Sequence, residues 1–356
     1  MFFYWLLFFV PVYFLLGKTQ NGANTSRLEW QLLWGFLVIF IGLRNQVGCD
    51  WFTYIEGLEE SRNIEWDAIF SSRLDAGHIL FGWFSMALNM NEYGINLIYA
   101  GIFSLGLIKL SNAQPNPWLA ILVAIPYLVI VVAMGYTRQA AAIGLLMYGF
   151  IYLLEKRVFA YLLLVLFAGM IHKTAFVFIT FVFFLPGSSK IISGLGVGLL
   201  IGMVGGVYLI EQAEFFILNY VTYTMDSSGA QIRTLMNLPP ALIFFANWSK
   251  WGLKYKDRWL WGIFALISIV CIPLVFVAST AVDRMALYLI PLQLVVWARF
   301  PEIVNGRIGR TSAILIVVIY YALVQFTWLV YGNHAFCWVP YDNLLLPFSL
   351  RDVRTW

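Results

Sequence analysis

The feature that most constrains this chain is a succession of apolar runs, most of them close to the length of a membrane-spanning helix. They lie near residues 1–16, 30–43, 94–110, 117–134, 138–154, 158–171, 174–186, 191–210, 237–252, 259–278, 285–299 and 311–330. Hydrophobic residues make up 62% of the chain and charged residues only 11%, which excludes soluble globular, disordered and disulfide-rich secreted proteins. We predict an all-α, polytopic transmembrane helical bundle of about twelve spans, with residues 1–356 forming a single transmembrane domain.

Two apolar segments need separate treatment. The first run has no positive leader and no small-residue cleavage site, so we expect a retained span rather than a signal peptide. Residues 77–91 are apolar but short, and a crossing there would break the alternation of the neighbouring spans. We predict a re-entrant or interfacial helix at this position.

The basic residues indicate the orientation of the chain, because cytoplasmic loops of membrane proteins are enriched in lysine and arginine. With the N-terminus outside, the inner loops hold every lysine except Lys173, and most acidic residues lie outside. Three long outer segments result: outer loop 1 at 44–76, outer loop 2 at 211–236 and an outer C-terminal segment at 332–356. Because the inner loops are mostly short connectors, we expect the outer segments to form the functional cavity. The net charge of +4 is too small to indicate a nucleic-acid partner.

Several ionisable residues lie within apolar sequence or at the outer ends of the predicted spans: Arg44, Arg138, His172, Lys173 and Arg284. A charge at the middle of a membrane helix costs about 2.5–3.5 kcal/mol, so such a residue indicates a site that faces a cavity. A guanidinium group binds phosphate oxygens through two parallel hydrogen bonds, which an ammonium group cannot do. Three or four arginines from separate spans would therefore form a diphosphate site without a metal ion.

The same residues have structural explanations that need no substrate. Arg44 could extend its charged group to the membrane interface, and Arg138 could bind a backbone carbonyl or a helix end. His172 could be an interfacial histidine, and Arg284 could form an ion pair with the adjacent Asp283. What favours a functional interpretation is that these residues gather on one predicted face.

No metal site or cofactor is predicted. An acidic cluster in outer loop 1 could bind a divalent ion, but such clusters are more often the solvated face of a helix: Asp50, Glu56, Glu59 and Glu60. The three cysteines lack the spacing of a zinc or redox motif: Cys49, Cys271 and Cys337. The remaining histidines, His78 and His334, have no context that indicates a function.

Five segments of the chain occur in a recognisable order. They are GLRNQVGCDWFTY at 42–54, NPWLAILVAIPYLVIVVAMGYTRQAAAIGLL at 116–146, FAGMIHKTAFVFI at 167–179, DRMALYLIP at 283–291 and WVPY at 338–341. Over about residues 30–345 this order resembles the EpsG family of polytopic proteins, which are related to Wzy-type O-antigen and capsule polymerases. Two positions depart from the family pattern, with Trp51 where tyrosine is frequent and Cys49 where threonine is common.

The resemblance implies a polysaccharide polymerase with a fold similar to the GT-C group of lipid-dependent glycosyltransferases. Such an enzyme transfers a growing glycan from undecaprenyl diphosphate to the non-reducing end of a new lipid-linked repeat unit. The reaction would occur at the periplasmic face of the bacterial inner membrane. The implied partners are the undecaprenyl-diphosphate-linked oligosaccharide, membrane lipid, a chain-length regulator and a flippase.

The chemistry of this reaction suggests roles for individual residues. The leaving lipid diphosphate develops negative charge, which preorganised arginines can stabilise; we assign Arg138 and Arg284 first, then Arg44 and Arg233. The acceptor hydroxyl needs a base or an orienting acceptor. The candidates are a histidine that titrates near neutrality, His172, and a carboxylate that a nearby Arg44 would keep ionised, Asp50. His172 could instead contact the diphosphate. The candidates for orienting sugar or phosphate are Gln139, Tyr288, Tyr223 and Lys173.

Other functional classes stay open at this point. A transporter or flippase of lipid-linked sugar should show internal repeats and helices broken near the membrane midplane, and the sequence shows no clear repeat. A membrane acyltransferase would need a histidine near a cytoplasmic acyl donor, and the predicted inner loops contain no histidine. An O-antigen ligase shares the chemistry of the polymerase and differs in its acceptor.

Overall fold

A computed structural model describes residues 1–21, 26–70, 72, 74–187, 195, 198–199, 202, 229–277 and 279–346. Within these ranges the secondary structure is helical, apart from two isolated β-bridges, so the predicted all-α class is confirmed for this part of the chain. The chain divides into two compact units. Unit 1 comprises Met1–Ile151, Leu163–Ala175 and Ile314–Trp356, and unit 2 comprises Tyr152–Leu162 and Phe176–Ala313. The prediction of a single transmembrane domain is not tested by this division.

The α-helices, in chain order, are α1 Phe2–Asn21, α2 Arg27–Gly42, α3 Trp51–Arg62, α4 Ala76–Ala87, α5 Asn91–Asn112, α6 Pro117–Ala124, α7 Ala133–Gly135, α8 Thr137–Leu154, α9 Val158–Ile171, α10 Ala230–Leu235, α11 Leu238–Ala246, α12 Trp248–Lys254, α13 Arg258–Leu274, α14 Ser279–Leu287, α15 Pro291–Ile303 and α16 Arg310–Tyr331. A π-helix, Ile125–Val132, joins α6 to α7. Three segments are 3-10 helices: Trp66–Ala68, Lys173–Phe184 and Ala335–Cys337.

Many of these helices begin and end close to the predicted span limits. Among the described residues, four helical segments are long and apolar enough to cross a membrane: Asn91–Asn112, Pro117–Gly135, Thr137–Leu154 and Arg310–Tyr331. The pair α14 and α15, bent by 50°, gives a fifth if it is counted as one broken span. The count of about twelve spans stays a prediction, and most of the predicted span at 191–210 lies outside the described residues.

The short apolar stretch at 77–91 forms α4, as a helix of 12 residues. A helix of this length extends about 18 Å, which is well short of the hydrocarbon thickness of a bilayer. Its length therefore agrees with the predicted interfacial or re-entrant helix rather than with a further crossing.

Helices α5 and α8 cross in backbone contact at two glycines in unit 1. A Cβ atom on Gly106 would overlap the backbone carbonyl of Gly144, and a Cβ on Gly144 would lie 2.5 Å from the Cα of Phe103. Membrane helices gain packing energy at such sites because small residues let the backbones approach closely. The crossing brings the middle of α8 against α5.

Three breaks in the helices lie beside residues that the sequence marked as functional. The chain leaves helical geometry at Tyr136, with φ −110° and ψ 57°, directly before α8 and Arg138. Helix α9 ends at Ile171, and a 3-10 helix begins after His172. Between α14 and α15 the break contains Tyr288. A break of this kind frees backbone groups and side chains from regular helix packing, which is tolerated in a membrane protein where the surroundings provide new partners.

The glycine crossing generates a prediction about stability. Replacing Gly106 by alanine should lower the free energy of unfolding by about 1–3 kcal/mol, because the added methyl group forces two backbones apart. Thermal or denaturant unfolding of the purified protein in detergent would measure this loss. The matched control is Gly101→Ala on the same helix, where the new Cβ would lie 3.6 Å from the Trp34 ring, an ordinary contact. Equal stability of the two variants would contradict the crossing.

Candidate active site

Asp75 connects two of the helix breaks in unit 1. It lies directly before α4 and is 7% exposed. Its Oδ2 accepts a hydrogen bond from Arg138 Nη1 at 3.0 Å, and its Oδ1 accepts one from the backbone N–H of Lys173 at 3.3 Å. One carboxylate thus neutralises a guanidinium group and binds an amide at the start of the 3-10 helix, where helix termini leave donors without intrahelical partners.

Arg138 is held in place but remains accessible. It is the second residue of α8, and its side chain keeps 34% of its exposure, against 10% for the Asp75 side chain. The Tyr54 ring lies with its centroid 5.9 Å from the guanidinium carbon, and the Tyr54 hydroxyl donates to the Gly135 carbonyl at 3.4 Å. The preceding Thr137 is buried, and its hydroxyl has no hydrogen-bond partner among the described residues. The start of α8 therefore combines a partly exposed guanidinium with a buried hydroxyl and a helix N-terminus, which favours anions.

His172 and Lys173 lie at the second of these breaks. His172 is half-buried, and its Nδ1 is 3.3 Å from the Thr174 hydroxyl. The amide of Lys173 binds the same carboxylate as Arg138. The structure therefore brings Arg138 and the pair His172–Lys173 into one cluster, although these residues belong to separate helices.

Neutral polar groups and an apolar floor lie next to this cluster. His78, in α4, is 2% exposed, and its Nδ1 lies 2.8 Å from the Tyr99 hydroxyl. Burial, together with the positive charge of Arg138, lowers the pKa of His78 to about 3, so its imidazole is uncharged at neutral pH. Tyr99 also belongs to a buried apolar group with Ile95, Ala141 and Ile171. The Arg138–Asp75 ion pair thus lies beside an uncharged imidazole and a group of apolar side chains.

Arg44 is in the same unit, but its guanidinium group is occupied by the protein itself. Nε donates to the Val47 carbonyl at 3.1 Å, Nη1 to the Ile41 carbonyl at 2.7 Å and Nη2 to Asn96 Oδ1 at 3.3 Å. The side chain is 1% exposed, and burial lowers the pKa of Arg44 to about 10, so it stays charged at neutral pH. This geometry favours a structural role in closing the turn after α2. Asp50, by contrast, is exposed at the start of α3.

The segments that carry the family-like motifs at 42–54 and 338–341 meet in unit 1. A disulfide joins Cys49 to Cys337, and the Gly48 amide donates to the Cys337 carbonyl at 3.0 Å. Gly48 has φ +103°, and a Cβ there would lie 2.6 Å from the Met134 carbonyl oxygen, so this position requires glycine. Trp338 Nε1 donates to the Ile130 carbonyl in the π-helix at 2.7 Å. These motif residues therefore connect outer loop 1, the C-terminal segment and the helix that leads to Arg138.

The remaining predicted arginines belong to unit 2. Arg233 is bound through Nε and Nη2 to both oxygens of Asp283, at 2.6 and 2.7 Å, and its side chain is only 16% exposed. Arg284 is exposed on α14. Tyr288 is buried, with its ring centroid 5.4 Å from that of Phe178.

The other predicted site residues do not join the Arg138 cluster in a way that fixes a role. Gln139 is buried at 3% exposure in α8, and Tyr223 lies outside the described residues. In the part of the chain that the structure describes, no group of three His, Cys, Asp or Glu side chains could hold a metal ion. The acidic residues of α3 at positions 56, 59 and 60 are exposed, as expected of a solvated helix face.

Sequence reasoning missed four residues of the cluster: Tyr54, Asp75, His78 and Thr137. Asp75 carried a usable signal, because it is an acid at the edge of an apolar stretch, which is the same feature that marked Arg138. His78 has no context in the sequence that indicates a function, because Tyr99 and Arg138, which interact with it in the structure, are distant along the chain. The disulfide was also not predicted.

A match to a known protein family covers most of the chain. Residues 29–343 match the EpsG family. No curated protein and no solved structure matches the chain. The matched range includes every described residue of the Arg138 cluster and both cysteines of the disulfide. The chain therefore belongs to the EpsG family, whose members are polysaccharide-polymerase-like membrane proteins.

Proposed function

We propose that this protein is a polysaccharide polymerase: an inverting, metal-independent glycosyltransferase that uses a lipid diphosphate donor. It transfers a growing glycan from undecaprenyl diphosphate to the non-reducing end of a new lipid-linked repeat unit at the periplasmic face of the inner membrane. Membership in the EpsG family is the observation that carries this proposal. The geometry around Arg138 supports the assignment of roles within the site.

Arg138 is the best-placed ligand for the donor diphosphate. Its Nη1 is directed by Asp75, and a third of the side chain remains exposed to an incoming phosphate. Arg233 differs because two of its nitrogens bind Asp283 in a more buried pair. A phosphate would have to displace that carboxylate, whereas Arg138 has donors to spare. Charge that develops on the leaving diphosphate would be stabilised here by the fixed guanidinium and the N-terminus of α8.

Arg284 and Arg44 have weaker support as diphosphate ligands. Arg284 is exposed, so it is accessible to a charged headgroup, but exposure alone does not preorganise a guanidinium group for a phosphate. Arg44 donates all three nitrogens to protein acceptors and is buried. We therefore place Arg138 first and Arg284 second, and assign Arg44 and Arg233 a structural role, each within its own unit.

His172 is the candidate for assisting the acceptor hydroxyl. It lies at the break that Asp75 fixes through the Lys173 amide, so it is positioned relative to Arg138 by one shared carboxylate. A single displacement at the anomeric carbon passes through an oxocarbenium-like state and inverts the configuration. Removal of the acceptor proton requires a neutral imidazole within reach of the hydroxyl group. His172 is only half-buried, so its side chain is partly accessible to an acceptor. Gln139, Tyr288, Tyr223, Lys173 and Asp50 remain proposals for orienting substrate or for serving as an alternative base.

The periplasmic placement has its own support. Cys49 and Cys337 form a disulfide between two segments that the charge distribution assigns to the outside. Disulfides persist in oxidising compartments such as the periplasm or cell surface. Asp75, Arg138 and Lys173, which are in contact, also lie at the predicted outer ends of their segments.

A transporter or flippase of lipid-linked oligosaccharide is the second candidate. It is favoured by the helix breaks at Tyr136 and His172 and by the bend between α14 and α15, since broken helices form many transport sites. The two functions differ in product. A polymerase lengthens the glycan, and a flippase moves it across the membrane unchanged.

Purified protein incubated with a synthetic undecaprenyl-diphosphate repeat unit should form oligomers, which gel or mass analysis would reveal. Arg138→Ala should lower the rate by about 100-fold or more, because one preorganised charge at the leaving group is lost. If correctly folded protein leaves the repeat unit unpolymerised but moves it across the membrane of liposomes, the protein is a flippase instead.

Two conservative variants refine this test. Arg138→Lys keeps the charge but loses the planar donor array, so we expect it to remain well below the native rate. Asp75→Asn keeps the shape of the carboxylate and removes its charge, and the loosened Arg138 should lower activity by about tenfold to a hundredfold. A native rate for Arg138→Ala would remove this residue from the mechanism.

Replacing His172 should separate its two proposed roles. If it assists deprotonation, His172→Ala and His172→Gln should lower the turnover rate by about 100-fold or more while donor binding stays intact. Titration with the lipid-linked unit, under conditions in which no glycan transfer occurs, measures the donor affinity. Loss of donor affinity with both variants would make His172 a phosphate ligand, and unchanged turnover would leave it no role in the chemistry.

The orientation can be tested through the disulfide. In intact spheroplasts of a Cys271→Ser strain, a charged maleimide should label Cys49 only after treatment with a membrane-impermeant reductant. The control is Lys256→Cys in the same background, with the native disulfide left oxidised. The new cysteine should be labelled only after permeabilisation, because the charge distribution places residue 256 inside. The reverse pattern would invert the topology and place the Arg138 cluster in the cytoplasm.

A further inference from the structure

A cavity of about 600 Å³ lies in unit 2, and none of the residues that line it is proposed for catalysis. Its walls come from the end of α8, the end of the 3-10 helix and the connection between α12 and α13. The charge distribution assigns all three connections to the cytoplasmic side. Lysines give the lining of the cavity positive charge. Its apolar wall is formed by three leucines and a proline: Leu153, Leu154, Leu185 and Pro186.

The lysines leave the cavity with an excess of positive charge. Lys254 is neutralised by Glu302, with its Nζ 2.6 Å from Oε2. Asp257 is neutralised by Arg299, which donates to both carboxylate oxygens at 2.8 and 2.6 Å. The other two lysines that line the cavity, at positions 156 and 256, form no ion pair with the residues that the structure describes. Two positive charges therefore face a space whose own acid is already paired.

The backbone at Lys156 adds a second observation. Its φ is +59°, and the Lys156 amide donates to the Leu153 carbonyl while the Arg157 amide donates to the Tyr152 carbonyl. This is the Schellman ending of a helix, in which the left-handed position is usually glycine. A lysine there is strained, because its Cβ crowds the following carbonyl oxygen in this backbone conformation. The chain thus keeps a cation at the mouth of the cavity in a position where glycine would be more stable.

We infer that this cavity binds the headgroup of an anionic phospholipid, with its phosphate near Lys156 and Lys256 and acyl carbons against the apolar wall. Basic pockets between helices on the cytoplasmic side are suited to such headgroups, because ammonium groups attract the phosphate and neighbouring leucines accept the hydrocarbon. A soluble phosphate would gain nothing from the leucines and the proline. The site is separate from the proposed polymerase chemistry, and neither depends on the other.

Native mass spectrometry of the full-length protein in neutral detergent tests this site. The probes are phosphatidylglycerol, zwitterionic phosphatidylcholine and soluble glycerol 3-phosphate. Phosphatidylglycerol should bind at least tenfold more tightly than phosphatidylcholine, and millimolar glycerol 3-phosphate should not displace it. The Lys156→Gln/Lys256→Gln double variant should lose about 25-fold in affinity for phosphatidylglycerol, at about fivefold for each lysine.

The matched control is Arg157→Gln, which removes one positive charge from the same connection. Arg157 pairs with Glu155 at 3.7 Å and does not line the cavity, so its loss should leave lipid affinity unchanged. Both lysines are exposed, and the single variants provide a reading if the double variant does not fold. Equal binding of the two lipids, native affinity in the lysine variants, or displacement by glycerol 3-phosphate would each overturn the inference.

Discussion

The carboxylate of Asp75 resolves two problems that broken membrane helices create. A helix that begins inside an apolar region leaves backbone N–H groups without partners, and a guanidinium in the same region lacks a counter-charge. Asp75 supplies an acceptor to the Lys173 amide and a negative charge to Arg138. Without it, the Lys173 amide and the Arg138 guanidinium would each lose a hydrogen-bond acceptor, which is costly for polar groups that are partly buried. The breaks beside His172 and Arg138 can coexist because they share this one residue.

The arginines of the chain differ in how much of their hydrogen-bonding capacity the protein itself uses. Arg44 gives all three nitrogens to protein acceptors, and Arg233 gives two to one carboxylate. Arg138 gives Nη1 to Asp75, lies against the Tyr54 ring and remains a third exposed. A guanidinium that is fully bound stabilises the fold, because replacing its partners with substrate would first require breaking them. One that is anchored but still partly exposed has direction and spare donors, which is the condition for preorganised binding of an anion.

Local features of the sequence predicted the helices well, and contacts between distant residues were predicted poorly. Helix α9, Val158–Ile171, has the same limits as its apolar run, because hydropathy is a property of neighbouring residues. Asp75 is 63 residues from Arg138 and 98 from Lys173, and no local pattern connects them. The cysteines of the disulfide are 288 positions apart. Asp283 illustrates the same limit, since it binds Arg233, which lies 50 positions away along the chain.

The two kinds of basic side chain are used at different places for physical reasons. Around Asp75, the cation must keep a fixed orientation in apolar surroundings, and a planar guanidinium held by a carboxylate does so. At the cavity in unit 2, Lys156 and Lys256 carry compact charges on flexible stems, which can follow a headgroup without a defined geometry. The asymmetry that orients the chain, with every lysine except Lys173 predicted inside and more than half of the arginines outside, would therefore also separate the two proposed kinds of anion recognition. A rigid site suits a reaction that must place a leaving group, whereas a flexible one suits a lipid that only has to be held.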